Sequence, residues 1–327
     1  MTNREGRKVF MNGALVPESE AKLSIYDSAL MFGDMVFEMT RSFNKAQFKL
    51  REHLERLYAS AKYVAIDIPM TIDEMEQACE AVIAANDPLF APDDEHRLMI
   101  NVTRGLLSIY GGRVDAPTGA NIIIADFPLR WTVSGMAPLF DVGINAVVPS
   151  QRTIPAQLLE PKVKNRSRLH YMMANVEVSR MKGQNNWALL LDPEGFVAEG
   201  TGSNFFIVRG GRLLTPEPRN ILRGISRDYT IELARDLGVP IEERNIEPYD
   251  VMTADEAFMT ATPFCILPVT SFQGTPLGDG GMGKVTRALL DRWSANVGVD
   301  IVGQIQSWAG TAEAGAGASP YQFARNK

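Results

Sequence analysis

The sequence predicts an α+β protein with two domains, on the evidence of hairpin signals, helical periodicity and one irregular segment. Residues 8–15 read as two short strands around Asn12-Gly13, a dipeptide typical of tight hairpin turns. Residues 72–86 have helical spacing and follow Thr71, a suitable N-cap with Glu74 three residues later. Because the first half mixes hairpin-linked strands with helices, its order favours α+β over a doubly wound parallel sheet.

The other predicted elements are short. Those of the first half are strands near 36–39, 47–50, 97–103 and 121–125 and a helix at about 52–65. Those of the second half are strands at 142–149, 187–192, 204–208 and 256–260 and helices at about 167–181 and 226–237. The last helix is predicted to end at Gly238, with Pro240 beyond it.

The segment FPLRWTVSGMAPLF, residues 127–140, has two prolines, a glycine and no clear period. It therefore predicts an interdomain linker at 129–140, between a small domain at 1–128 and a larger one at 141–309. Residues 310–327 are rich in alanine and glycine and are predicted to be a flexible tail.

Composition excludes several classes of function. The net charge of -6 gives no basic surface for nucleic acid or an anionic membrane. Two cysteines and three histidines are too few for a disulfide framework or a histidine-rich metal site. The N-terminal residues lack the apolar run of a signal peptide, and no apolar stretch reaches the roughly 20 residues of a membrane span. We therefore expect a cytoplasmic protein.

Lys164 is the first candidate for chemistry, in the run Pro161-Lys162-Val163-Lys164-Asn165. A lysine in a locally apolar segment can lose its charge by desolvation, as Schiff-base chemistry requires. Most lysines are solvated surface groups, so this signal alone is weak.

Glu199 is the second candidate, in the run Ala198-Glu199-Gly200-Thr201-Gly202 between two apolar strands. The glycines let the backbone approach a flat ligand, and the glutamate can hold a pyridinium N–H. On spacing alone, a hairpin turn with a surface glutamate is the better interpretation.

Three further groups suit an anion. The run Leu222-Arg223-Gly224-Ile225-Ser226 opens a helix, whose first amides bind phosphate, although Ser226 is equally well explained as an N-cap. The turn at 260–263 offers backbone and hydroxyl donors. Arg56 lies off the apolar stripe of its helix and is either a solvated surface arginine or a phosphate counter-ion.

The order of these signals resembles the class IV aminotransferases, the fold type IV pyridoxal-phosphate enzymes. The resemblance runs from about residue 8 to about residue 295, which is nearly the whole chain. The matching strings are FGDMVFE (32–38), HLERLYASAK (53–62), AEGTGSNFF (198–206), LRGISRD (222–228), DEAFMTAT (255–262) and GKVTRALL (283–290).

The resemblance implies a small N-terminal α/β domain, a larger C-terminal domain with a barrel-like β-core, a homodimer, and pyridoxal 5'-phosphate as cofactor. It implies that Lys164, rather than its rival Lys162, binds the cofactor covalently and that Glu199 binds the pyridine nitrogen. The implied contacts of the phosphate are Arg56, Ile225, Ser226 and Thr262, and Gly224 is also expected to bind the cofactor. Leu222 and the backbone near Gly202 are expected against the two ring faces.

The implied reaction is transfer of an amino group between an amino acid or amine and a 2-keto acid, with a branched-chain-like substrate favoured. Expected pocket residues are Phe32, Phe37, Met39, Arg97 and Pro263, although ordinary core explains the first three as well. Arg41, Arg104 and Arg113 are alternatives to Arg97 for the substrate carboxylate.

The chain departs from the branched-chain subfamily, which usually has tyrosine at the position of Leu169, glutamate at Ser203 and glycine at Met39. The run RGLLSIYGGRV (104–114) also lacks the Arg-x-His carboxylate clamp of D-amino acid enzymes. Neither subfamily is matched in full, so the substrate class stays open. The alternatives to a branched-chain enzyme are a D-amino acid or (R)-amine transaminase, aminodeoxychorismate lyase, and a non-catalytic cofactor-binding protein.

Overall fold

The computed structural model describes residues 6–310, which divide into two compact units. Unit 1 runs to Leu129 and also includes Val163–Arg168, whereas unit 2 comprises Arg130–Lys162 and the chain from Leu169 onward. The division is therefore not contiguous in sequence, unlike the predicted one. Apart from Gly310, the predicted flexible tail lies outside the described residues.

Unit 1 contains a five-stranded antiparallel sheet in the order β2-β1-β7-β6-β3. Its strands are β1 (Lys8–Met11), β2 (Ala14–Pro17), β3 (Met35–Met39), β6 (His96–Thr103) and β7 (Asn121–Pro128), with a separate pair, β4 (Ser42–Phe43) and β5 (Ala46–Gln47). Its helices are α1 (Ser28–Phe32), α2 (Leu50–Tyr63) and α3 (Ile72–Asn86). Of the strand predicted near 47–50, only Gln47 lies in a strand, because Lys49, at φ 50°, turns the chain into α2.

One face of this sheet packs against α2 and α3. Val36 of β3 and Leu98 and Ile100 of β6 belong to the same buried apolar cluster as Leu54 and Met75 of the helices. Because side chains alternate along a strand, Phe37 and its neighbours at every second position lie on the other face.

Residues 163–166 extend the sheet beyond β3. The Phe37 amide donates to the Lys164 carbonyl at 2.9 Å, and the Arg166 amide donates to the Met35 carbonyl at 3.2 Å. Val36 and Asn165 form an isolated antiparallel bridge. Since β3 is otherwise the end of the strand order, this segment satisfies backbone groups of an edge strand.

Unit 2 contains a nine-stranded mixed sheet, curled into a half-barrel. Its strands are β8 (Ile144–Val147), β9 (Asn186–Leu191), β10 (Val197–Gly200), β11 (Asn204–Arg209), β12 (Arg212–Thr215), β13 (Ile241–Glu243), β14 (Glu256–Ala261), β15 (Cys265–Phe272) and β16 (Thr275–Pro276). Its helices are α4 (Arg130–Val133), α5 (Leu139–Val142), α6 (Leu169–Val178), α7 (Ile225–Asp236), α8 (Pro248–Met252), α9 (Lys284–Val297) and α10 (Ile301–Ser307).

The segment for which we predicted a linker folds as part of unit 2. It contains α4 and leads into α5, and its side chains Val133, Leu139 and Phe140 are at most 1% exposed. Pro138 precedes the first residue of α5, a place where the missing proline amide costs no helical hydrogen bond. Burial of apolar residues here outweighs the local signal of proline and glycine.

None of the helices in residues 6–310 is long and apolar enough to cross a membrane.

Glu38 forms a buried ionic cluster that joins β3 to α2. Its Oε1 accepts from Arg56 Nε at 2.6 Å, and its Oε2 accepts from Arg56 Nη2 at 2.8 Å and from His53 Nδ1 at 2.7 Å. Burial alone would raise the pKa of Glu38, but Arg56 and His53 hold that pKa far below its usual range. Burial lowers the pKa of His53, so its neutral ring donates to the carboxylate.

We predict that Glu38→Gln destabilises the protein by about 3–5 kcal/mol, because it leaves the Arg56 charge partly buried without its counter-ion. The folded-state pKa of Glu38 is depressed, so its stabilisation is present above the ordinary pKa near 4.5 and is lost as the pH falls below that value. Chemical denaturation of wild type and variant from pH 7 to pH 3 measures both effects.

Glu55→Gln is the matched control, since Glu55 lies on α2, next to Arg56 in the sequence, with its side chain 60% exposed. It should change the free energy of unfolding by no more than about 0.5 kcal/mol. Equal stability of the two variants at pH 7 would contradict a structural role for the Glu38 charge.

Candidate active site

Lys164 and Lys162 differ in their surroundings. Lys164 is half-buried, and its Nζ lies 4.9 Å from the centroid of the Phe37 ring. The Nζ of Lys162 lies 2.6 Å from Glu160 Oε1 and donates to the Arg219 carbonyl at 3.1 Å. The Lys162 amine is thus engaged by Glu160 and Arg219, whereas the Lys164 amine lies beside an aromatic ring. Lys164 is therefore the better candidate for the reacting amine.

The predicted pocket residues Phe37, Met39 and Arg97 lie on one face of the unit 1 sheet. Phe37 pairs with Asn101 and Met39 with Met99, and Arg97 shares the parity of those two partners on β6. Arg97 is 7% exposed, and its Nη2 lies 3.7 Å from Met39 Sδ. The structure thus brings three of the predicted side chains together.

Phe32 is placed differently from the other predicted pocket residues. It is the last residue of α1 and is 63% exposed in the single chain, so the interpretation of Phe32 as ordinary core is wrong. Its carbonyl accepts from Ser167 Oγ at 3.2 Å, which places its backbone beside the 163–168 segment.

Two of the alternative arginines have structural contacts. Arg104 donates to both carboxylate oxygens of Asp34, at 2.5 and 3.0 Å, and to the Val64 carbonyl. Arg41 is 1% exposed, with its guanidinium 3.9 Å from the centroid of Phe43. Both side chains therefore hold unit 1 together.

Arg56, predicted as a phosphate ligand, uses Nε and Nη2 to bind Glu38. Its side chain is only 13% exposed, so the interpretation as a solvated surface arginine is wrong. Its assignment to the phosphate stays a prediction.

In unit 2, Glu199 is a buried carboxylate with three donors. Its Oε1 accepts from the Tyr171 hydroxyl at 2.8 Å, and its Oε2 accepts from the Leu222 amide at 3.1 Å and Asn204 Nδ2 at 3.3 Å. Glu199 is 5% exposed, so the surface-hairpin interpretation of this residue is wrong. Three donors fix the carboxylate in one orientation.

Tyr171 is a site residue that we did not predict from the sequence. It lies on α6, two positions after Leu169, which replaces the usual family tyrosine and is 75% exposed. Tyr171 packs against Ala174 and Val178 in a buried cluster. Their helical spacing in the sequence is the signal that could have placed its ring on the inner side of the helix.

The start of α7 is shaped by Gly224. Gly224, and not Ser226, is the N-cap, so the interpretation of Ser226 as a simple cap is wrong. A Cβ at Gly224 would lie 2.1 Å from Asn204 Oδ1, and Asn204 Nδ2 donates to the Leu222 carbonyl at 2.9 Å. The absent side chain thus lets Asn204 connect the helix start to Glu199.

Ile225 and Ser226 are the first two residues of this helix. The first amides of a helix have no acceptor within it, and its dipole favours an anion there. Ser226 adds a hydroxyl and is 7% exposed. This arrangement suits a phosphate group.

Thr262 and Pro263 lie in the turn between β14 and β15. Asn204 pairs with Thr260 in the β11–β14 register, so this turn and the start of β11 are at the same end of the sheet. Gly202, an exposed residue in the loop before β11, lies at that end also. The buried Thr260 hydroxyl has no hydrogen-bond partner in the part of the chain that the structure describes.

Comparison with known proteins gives a consistent picture. The family model described as "Amino-transferase class IV" matches residues 35–272. A putative branched-chain-amino-acid aminotransferase of Methanocaldococcus jannaschii is 36% identical over 287 residues, covering 88% of this chain and 95% of the relative.

Solved structures show the same likeness. The branched-chain amino acid aminotransferase of Escherichia coli superposes with a TM-score of 0.80 at 29% identity, covering 94% of this chain and 97% of that one. The enzyme from Thermobaculum terrenum, in its pyridoxal-phosphate form, gives a TM-score of 0.78 at 29% identity, with 93% and 98% covered.

Proposed function

Because the chain belongs to the class IV aminotransferases, we propose that it transfers an amino group between a branched-chain amino acid and a 2-keto acid, with Lys164 as the cofactor-binding lysine. Transamination and pyridoxal phosphate are properties of the family. The relatives and solved neighbours described above are branched-chain aminotransferases, which supports the substrate class. The buried Glu199 carboxylate is the single observation that carries the proposal.

The residues of unit 2 fit pyridoxal phosphate. Glu199 is an acidic partner for the ring nitrogen, and the first amides of α7, at Ile225 and Ser226, are suited to a phosphate. Ser226 and Thr262 offer hydroxyl groups, and the Thr260 hydroxyl is buried without a partner in the described residues. These are the donors and the acidic acceptor that this cofactor requires.

The bound cofactor supplies an electron sink for the charge that develops at the substrate Cα. Lys164 moves the proton at that carbon, as general base and then as general acid. Glu199 keeps a proton on the ring nitrogen, and Tyr171 and Asn204 hold its carboxylate in place. Leu222 and the backbone near Gly202 are proposed to pack against the ring.

The remaining residues position the phosphate and the substrate. Phosphate is proposed to bind Arg56 and the start of α7. An apolar substrate side chain is proposed to contact residues that wall the pocket, which are Phe32, Phe37, Met39, Arg97 and Pro263. Residues that hold the substrate and the phosphate in a fixed geometry lower the entropy cost of reaching the transition state.

We predict that the purified holoenzyme is yellow and that its visible band fades when L-leucine is added. Lys164→Ala should lose this band and at least about 10²- to 10⁴-fold in rate, because the proton-transfer group is absent. Absorbance spectra and rates with L-leucine, D-alanine and an (R)-amine, each with 2-oxoglutarate, measure these effects.

Lys162→Ala is the matched control, since it removes a nearby lysine that is already in an ion pair. It should keep the band and most of the rate. Loss of the band in Lys162→Ala alone would contradict the assignment of Lys164. A faster reaction with D-alanine or the (R)-amine than with L-leucine would contradict the substrate class.

We predict that Tyr171→Phe weakens cofactor binding about 10-fold or more, because a hydrogen bond to a charged carboxylate is worth about 1.5–3 kcal/mol. The ring, and its packing on α6, is preserved. Titration of cofactor-free protein with pyridoxal phosphate measures the dissociation constant. Tyr249→Phe, at a residue 66% exposed, is the control and should match wild type, whereas wild-type affinity in Tyr171→Phe would refute the role of this hydroxyl.

We propose that the protein is a homodimer through unit 1. Two adjacent segments of unit 1 expose large apolar side chains, which are Leu23, Ile25, Leu30, Phe32 and Ile109. Tyr26 and Tyr110 connect the two segments, with their ring centroids 4.9 Å apart. Monomers rarely expose contiguous apolar patches of this kind.

Light scattering should therefore give twice the 36.1 kDa chain mass, and Ile25→Asp should shift the mass toward that of the monomer. A wild-type mass of one chain at micromolar concentration would rule out this assembly.

A cytoplasmic location is part of the same proposal. Cys79 is a buried, free cysteine, as is usual for proteins of a reducing compartment. Recovery of the protein from a secreted fraction would contradict it.

A further inference from the structure

Three cationic side chains surround the ring of Phe37. The guanidinium carbon of Arg166 lies 3.6 Å from the ring centroid, that of Arg168 lies at 5.1 Å, and Lys164 Nζ lies at 4.9 Å. Phe37 itself is 3% exposed. Two guanidinium groups are thus held beside the same ring as the amine proposed to react.

The positive charge of Arg166 is not balanced by a carboxylate among the described residues. Its Nη2 donates to Asn101 Oδ1 at 3.1 Å, and within residues 6–310 it forms no ion pair with a carboxylate. Burial, followed by repulsion from Arg168, lowers the pKa of Arg166 to about 10, so it remains a cation at neutral pH. A partly desolvated charge without a counter-ion favours binding of an anion.

Local geometry holds the two arginines in place. The Arg166 amide is hydrogen-bonded to Met35 of β3, and Arg168 Nε donates to the Asn165 carbonyl at 2.9 Å. Stacking on an aromatic ring leaves the edge of a guanidinium group available for bidentate contact with a planar anion. Short chain connections to Lys164 keep both groups beside the reacting amine.

We propose that Arg166 and Arg168 bind the carboxylate of the amino acid and keto acid substrates, which rests on the proposed role of Lys164. The pair then selects substrates that bear a carboxylate over simple amines. Arg97 is then not the carboxylate ligand, since it contacts Met39 at the far end of β3 from Met35.

The test uses two probes of equal shape that need no turnover, 4-methylpentanoate and its neutral amide, 4-methylpentanamide. Isothermal titration calorimetry on the holoenzyme measures their affinities for wild type, Arg166→Gln, Arg168→Gln and the double variant. Either single variant should bind the carboxylate about 10-fold more weakly and the double variant still more weakly, because charge-assisted hydrogen bonds are lost. Affinity for the amide should stay unchanged.

Arg51→Gln is the charge-matched control, since Arg51 is an arginine of α2 whose side chain is 44% exposed, and it should behave as wild type. Arg166→Lys keeps the charge and should recover part of the carboxylate affinity. Retention of the yellow band in each variant shows that the cofactor assignment stands independently of the result.

Two results would overturn the proposal. One is unchanged affinity for the carboxylate in both single variants. A loss of that affinity in Arg97→Gln would then assign the carboxylate to Arg97. The other is an equal loss for the carboxylate and the amide, which would mean that the arginines only shape the pocket.

Discussion

The hydrogen bond from the Phe37 amide to the Lys164 carbonyl fixes the chemistry of unit 1 in space. Residues 163–166 are distant in sequence from β3, yet they extend its sheet as an additional short strand. Pairing in a sheet fixes where each side chain lies along the strand and on which face of the sheet it lies. Lys164 and Arg166 therefore share one aromatic neighbour, and Arg168 is held beside the same ring by its hydrogen bond to the Asn165 carbonyl.

The same strand separates two kinds of charge by its alternation. Glu38 points to the side of α2, where Arg56 neutralises its charge and His53 donates a hydrogen bond to it in the interior. Phe37, one residue earlier, lies on the opposite face with the cations of the 163–168 segment. A one-residue slip of β3 would exchange these environments and bury the wrong group, so the ionic cluster also fixes the register.

Much of the fold follows from local sequence. The helices near residues 52–65 and 72–86 were predicted because their apolar residues recur at helical spacing, and the capping box at Thr71 is present as expected. The helices α4 and α5 in and beside residues 129–140 were not predicted, because burial of Leu139 and Phe140 is a tertiary effect. A local count of prolines and glycines carries no information about it.

The candidate site was predictable to the extent that it is built from short motifs. Glu199 and the glycine before α7 stand in strings that match the family, and Lys164 precedes them in the order that the family shows. Tyr171 and Arg166 were missed because their partners, Glu199 and Phe37, are far away in sequence. Only the fold brings such residues together, and their roles depend on contacts that no local pattern encodes.

The central claim is that Lys164 binds the cofactor covalently. Reduction of the holoenzyme with borohydride fixes pyridoxal phosphate on its lysine, and fragmentation mass spectrometry of the peptides identifies that residue. We expect the phosphopyridoxyl group on Lys164, with Lys162 unmodified. Its location on Lys162 or on any other lysine, with Lys164 unmodified, would contradict the account.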